Sequence, residues 1–184
     1  MARAGGWEWR HAVFAPLLLA AGLAFAQGFA QDGGLEVKIG EAAVRRFTPA
    51  EIAALPQTEL VETRSVGAGA KTEQAEVRYR GVLLRDLLDA AGVQKLDRYA
   101  LRHSGVAARA TDNYAVLFSW GELYNGRAGD NVLVITSVDG KPLPPAEGPY
   151  ALRSLSDTKP GQRHVKWLNR IDFFTVPKQA LPPG

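Results

Sequence analysis

The chain has 184 residues, 46% of them hydrophobic and 22% charged, the composition of one ordinary globular domain. A domain of roughly 150 residues buries about 70% of its unfolded surface, so the complete lack of cysteine does not deny it a stable fold. The formal net charge of +3 comes from interspersed charges, without a run of five or more of one sign, so nucleic acid is not an indicated partner.

The first 26 residues read as an export signal: Arg3 and Arg10 precede an apolar run from Val13 to Phe25, and Ala24-Phe25-Ala26 has the small-x-small spacing of a cleavage site before Gln27. A retained anchor is the alternative, but about 13 apolar residues fall short of the roughly 20 needed to span a hydrocarbon core. The mature chain is therefore expected to be periplasmic or secreted and not membrane-spanning. No twin arginine precedes the run, which suggests export in the unfolded state.

Residues 27–34 form a short polar lead expected to be loose, and Leu35 to Ile39 then alternates apolar and polar with the period of a half-buried strand. Thr48-Pro49-Ala50-Glu51 carries a capping box with proline at the first helical position, and Pro56 ends that helix after about two turns. Thr58 to Arg64 and Gln74 to Arg80 read as strands joined by the loop Gly67-Ala68-Gly69-Ala70. Between Val82 and Ala91, Leu83, Leu84, Leu87, Leu88 and Ala91 recur at helical spacing, and Gly92 suits a left-handed C-cap.

Further along, Tyr99 to Arg102, Val106 to Ala110 and Tyr114 to Phe118 are predicted strands, and Ser119-Trp120-Gly121-Glu122 can cap a short helical turn. Val132 to Val138 is rich in β-branched residues and runs into Asp139-Gly140, a strong hairpin signal. The last predicted strand is Asn169 to Val176, before Pro177. Strands outnumber helices without alternating regularly with them, which predicts an α+β fold with a mixed β-sheet over residues 35–177, followed by a tail at 178–184.

The candidate chemistry lies in the loops and the C-terminal stretch. Arg163, His164 and Lys166 flank an aromatic, and arginine offers a planar fork to oxyanions where lysine offers a point charge. Trp167 in the core with solvated basic neighbours is the alternative. In Asp112-Asn113-Tyr114, a carboxylate and a phenol can orient a small oxyanion, or the aspartate and asparagine simply make a turn. His103 sits at a strand end without an identifiable partner. Two histidines 61 positions apart in the mature chain form no metal signature, and no metal site or catalytic residue is assigned.

Taken in order, Tyr79-Arg80-Gly81, the helix segment ending at Gly92, Asp112-Asn113-Tyr114, Asp139-Gly140-Lys141-Pro142-Leu143, Gly148-Pro149 and Arg163-His164-Val165-Lys166-Trp167 resemble the molybdopterin-binding domain of the sulfite oxidase family. The resemblance implies a molybdopterin cofactor, with Arg163, His164 and Lys166 against the pterin and Asp112 and Tyr114 beside the substrate pocket. It further implies a membrane-bound redox partner. Catalytic relatives hold molybdenum through a cysteine thiolate, where this chain has Glu62-Thr63-Arg64-Ser65-Val66, and oxygen ligands do not reproduce that soft bond. Relatives also carry an arginine and a proline at positions aligned with Ala151 and Leu155. The expectation is an exported module that takes a pterin or small anion without the metal-ligating cysteine; the alternative is a non-catalytic protein-interaction domain that keeps the fold alone.

Overall fold

In a computed structural model of the protein, the described residues are 33–177 without 42, 67–72 and 160. The expected export signal, most of the polar lead, the loop at 67–70 and the tail at 178–184 lie outside them. Among the described residues, five strands form one sheet: β1 (Leu35–Ile39), β2 (Ala43–Phe47), β5 (Ser104–Ala110), β6 (Ala115–Ser119) and β11 (Leu168–Thr175). Their order is β2-β1-β11-β5-β6, antiparallel except for the parallel pair β1 and β11. The second sheet runs β10 (His164–Val165), β9 (Ala151–Ser154), β7 (Val132–Val138), β4 (Glu73–Leu83) and β3 (Thr58–Val66), with β8 (Lys141–Pro142) beside β7. Two sheets of mostly antiparallel strands and a few short helices make the fold α+β, as the patterning predicts.

Both sheets feed one hydrophobic core. Leu35 and Val37 of β1, Val106 of β5, Phe118 of β6 and Phe173 of β11 meet Val82, Val134 and Leu152 of the second sheet there. Helix α2 (Leu84–Ala91) covers it with Leu84, Leu87 and Leu88, each 0% exposed. Full burial of each stabilises by roughly 2 kcal/mol relative to exposure. Gly92 ends the helix at φ 101°, its N–H donating to the carbonyls of Leu88 and Asp89. Helix α1 (Pro49–Ala54) has the expected capping box: the Thr48 side chain accepts the Glu51 N–H, and the Glu51 carboxylate accepts the Thr48 N–H at 2.8 Å. The same device caps α4 (Trp120–Tyr124) through Ser119 and Glu122. At Asp139 (φ 49°) and Gly140 (φ 73°) the chain makes the two-residue hairpin from β7 to β8.

Five segments depart from the sequence reading. Tyr99 to Arg102 is not a strand but helix α3 (Arg98–Arg102), because the Asp97 carboxylate accepts the N–H groups of Tyr99 and Ala100 and starts a helix there. Val82 and Leu83 belong to β4, and α2 begins only at Leu84. Strand β2 was not anticipated, because its AVRRF sequence lacks a clean alternation and it is paired by β1. Strands β9 and β10, four and two residues long, are likewise defined by their sheet neighbours.

Candidate functional site

The second sheet has two faces, and the one turned from the main core carries a small apolar cluster of Tyr79, Leu83, Leu133, Ile135, Leu143 and Ala151. Strand alternation sends Leu152 to the main core and Arg153 to this second face. Arg153 faces His164 in register across β9 and β10. On the opposite side of the sheet, β3 and β4 bring Glu62, Arg64 and Tyr79 to the same face.

Arg153 is only 3% exposed and therefore needs a partner. Its Nη2 donates to Glu62 Oε1 at 2.9 Å, its Nη1 donates to the Tyr79 hydroxyl at 3.3 Å, and its guanidinium lies 5.4 Å from the Tyr79 ring centre. Arg64 Nη1 donates to the same hydroxyl at 2.8 Å, and that hydroxyl donates to Glu62 Oε2 at 3.3 Å. Burial raises the Tyr79 pKa, with the charges of Arg153 and Arg64 pulling the other way, so the phenol stays protonated at neutral pH.

His164 and Lys166 extend this cluster. Glu147 Oε2 lies 3.4 Å from His164 Nε2 without the alignment of a hydrogen bond, and Glu147 Oε1 lies 3.8 Å from Lys166 Nζ. His164 Nε2 is thus buried with no hydrogen-bond partner. Burial first, and the Arg153 charge next, push the His164 pKa down to about 4, against the pull of Glu147. With His164 neutral, the three cations Arg64, Arg153 and Lys166 face the two carboxylates Glu62 and Glu147, leaving one positive charge in excess.

Arg163, next to His164, faces the other way. Asp157 holds it through both carboxylate oxygens, Glu122 Oε1 accepts from its Nη1 at 2.7 Å, and its guanidinium sits 4.6 Å from the Phe118 ring centre. Tyr114 fastens the same loop by donating its hydroxyl to the Gln162 carbonyl at 2.5 Å. Asp112 Oδ1 accepts the Tyr114 N–H at 2.9 Å across Asn113, which has φ 71°, and so forms a turn. The five residues singled out in the sequence therefore divide: His164 and Lys166 stand in the charged cluster, while Arg163, Tyr114 and Asp112 shape and anchor the loop before β10. Trp167 is 37% exposed rather than in the core, at φ 48°, with its indole N–H donated to the Pro145 carbonyl at 3.1 Å.

Sequence reading missed Arg153, Tyr79, Glu62 and Glu147. The signal for Arg153 is an arginine directly after the apolar pair Ala151 and Leu152, two residues beyond Ala151 and so on the same strand face. Elsewhere, Pro49, Ile52, Pro142, Pro149 and Tyr150 line an apolar cleft of about 480 Å³ with Arg80 at its wall.

Two sheets in this order, joined by short helices and carrying a buried arginine–carboxylate cluster on one face, define the class of the domain as α+β with mixed sheets. Residues 31–181 match the family model of the oxidoreductase molybdopterin binding domain, and the chain belongs to that family. Its fold is similar to the crystal structure of the sulfane dehydrogenase SoxCD from Paracoccus pantotrophus, with a TM-score of 0.58 and 19% identity over 77% of this chain. It spans 38% of that chain's length. No curated protein matches it.

The family name implies a molybdopterin group, and the donor chemistry on the second face tests it. Guanidinium, ammonium, imidazole, phenol and carboxylate groups stand there, and cysteine is absent from the whole sequence. This set fits an oxyanion and does not fit a metal held by a protein thiolate.

Proposed function

We propose that the protein is an exported small-anion-binding module of the molybdopterin-binding-domain family, one that works without a metal-ligating cysteine. The observation that carries this reading is His164, whose buried Nε2 lacks a partner beside a cluster with one positive charge in excess. A bound anion supplies that partner and is drawn by that charge. Arg153 and Lys166 hold it, and the phosphate end of a pterin belongs to the same ligand class. Export rests on the apolar run and cleavage spacing before Gln27. Among the described residues no helix is long and apolar enough to cross a membrane.

The test is to purify the protein from its native host, measure molybdenum and pterin, and titrate it with inorganic anions by calorimetry. Expected are no stoichiometric molybdenum, micromolar to millimolar anion binding that Lys166→Met weakens, and a mature N-terminus at or just after Gln27. Stoichiometric molybdenum with oxidoreductase turnover overturns the reading. A second reading as a protein-interaction domain draws on the edge strand β6, where Leu117 is 64% exposed. It is favoured if no anion binds.

A further inference from the structure

We propose that Glu62 is an internal stand-in for the ligand: its carboxylate fills the oxyanion position between Arg153, Tyr79 and Arg64, and a small planar monoanion binds by displacing it. This rests on the anion-binding reading above and narrows it to carboxylate-like ions.

The donors converge on this one side chain. Glu62 accepts from Arg153 Nη2 at 2.9 Å and from the Tyr79 hydroxyl at 3.3 Å, and Arg64 Nε stands beside it as a charge at 3.8 Å, beyond hydrogen-bond reach. One guanidinium and a phenol donating to the two oxygens, with a second guanidinium beside them, are groups that would accept a carboxylate from solution equally well. Stability alone does not account for the arrangement, since replacing a buried ion pair by apolar groups of similar volume is often neutral or favourable. The position of Glu62 also suits exchange. It lies on β3, an edge strand of the second sheet, between the exposed residues Val61 and Thr63, whereas Arg153 lies deep in the sheet on β9. Its side chain is 14% exposed against 3% for Arg153, and Arg64, 40% exposed, flanks it on the solvent side. Replacing one carboxylate by one monoanion of the same planar shape leaves the local charge balance and the donor geometry unchanged.

Calorimetric titration of the full chain with formate and with sulfate tests this, using the wild-type protein, Glu62→Gln and Glu62→Asp. Glu62→Asp keeps the charge but withdraws the carboxylate by one methylene. Formate is expected to bind both variants more tightly than wild type, about tenfold more for Glu62→Gln, because the competitor has been removed or retracted. Formate should also raise the melting temperature of Glu62→Gln more than that of wild type, by refilling the place beside Arg153. Formate affinity that is unchanged or lower in both variants overturns the stand-in role while leaving anion binding intact. Sulfate binding wild type as tightly as formate overturns the restriction to planar monoanions. Failure of both ions to bind wild type and both variants defeats the anion-binding reading itself.

Discussion

Arg163 grips Asp157 fork against fork, with Nε 2.8 Å from Oδ2 and Nη2 on Oδ1. The hydrogen bonds from Arg163 hold the Asp157 carboxyl below the usual carboxylate range. Its stabilising effect is complete above the ordinary carboxylate pKa and is lost as pH falls through the lowered value. Lysine has no fork and cannot serve Asp157 and Glu122 together, so Arg163→Lys should destabilise by roughly 1–3 kcal/mol. Thermal unfolding checks this; a melting temperature within about 1 °C of wild type counts against the clamp.

His164 gives the protein an acid-sensitive window. Its folded pKa of about 4 lies below the ordinary 6.5, so between these values the unfolded chain takes up a proton that the folded one refuses. Stability should be full above pH 6.5 and fall as pH drops toward 4, by on the order of 3 kcal/mol in total. His164→Gln should flatten that slope. Urea unfolding midpoints at three pH values across the window measure it, and parallel slopes in the two proteins exclude His164 as the cause.

Gly148 is at φ 84°, and a Cβ there would lie 2.7 Å from Trp167 Cδ1 and 2.8 Å from Trp167 Cα. Gly148→Ala therefore combines backbone strain with a clash and should cost roughly 2 kcal/mol or more. The indole would be pushed from the Pro145 carbonyl, so the tryptophan emission spectrum should shift along with the melting temperature. A spectrum identical to wild type would show that the two residues are not mutually locked.

The ion pair of Arg153 and Glu62 should behave asymmetrically. Arg153→Met alone strands a carboxylate that is 14% exposed and should cost roughly 3 kcal/mol. Adding Glu62→Leu should recover most of that loss. Chemical denaturation of the two single variants and the double variant completes the cycle, and additive effects would mean that the residues are not coupled.

Local signals were the legible ones. The alternation of Leu35 to Ile39, the Thr48 and Glu51 box, the leucine stripe of α2 and the Asp139-Gly140 turn each act within a few residues, so sequence alone points to them. Tyr99 to Arg102 misled through its one aromatic, although Ala100, Leu101 and Arg102 are helix formers, and the deciding atom is the carboxylate of Asp97 just outside the segment. The charged cluster was half legible: His164 and Lys166 stand out in a basic run, but Arg153 and Glu62 meet across 91 residues of sequence, through a register that only the assembled sheet supplies. Nor does the basic run reveal that adjacent residues point to opposite faces, which separates Arg163 from His164.

Strand β11 lies between β1 and β5, pairing with one strand from the start of the domain and one from its middle, Glu36 beside Arg170 and Gly105 beside Phe174. The first sheet therefore has no middle until the last strand arrives. Loops this long must close before any reward is collected, which makes assembly slow and all-or-none. Any product that stops short of residue 168 should keep every strand of the second sheet but leave the first as two unjoined hairpins, with its side of the core open to proteases.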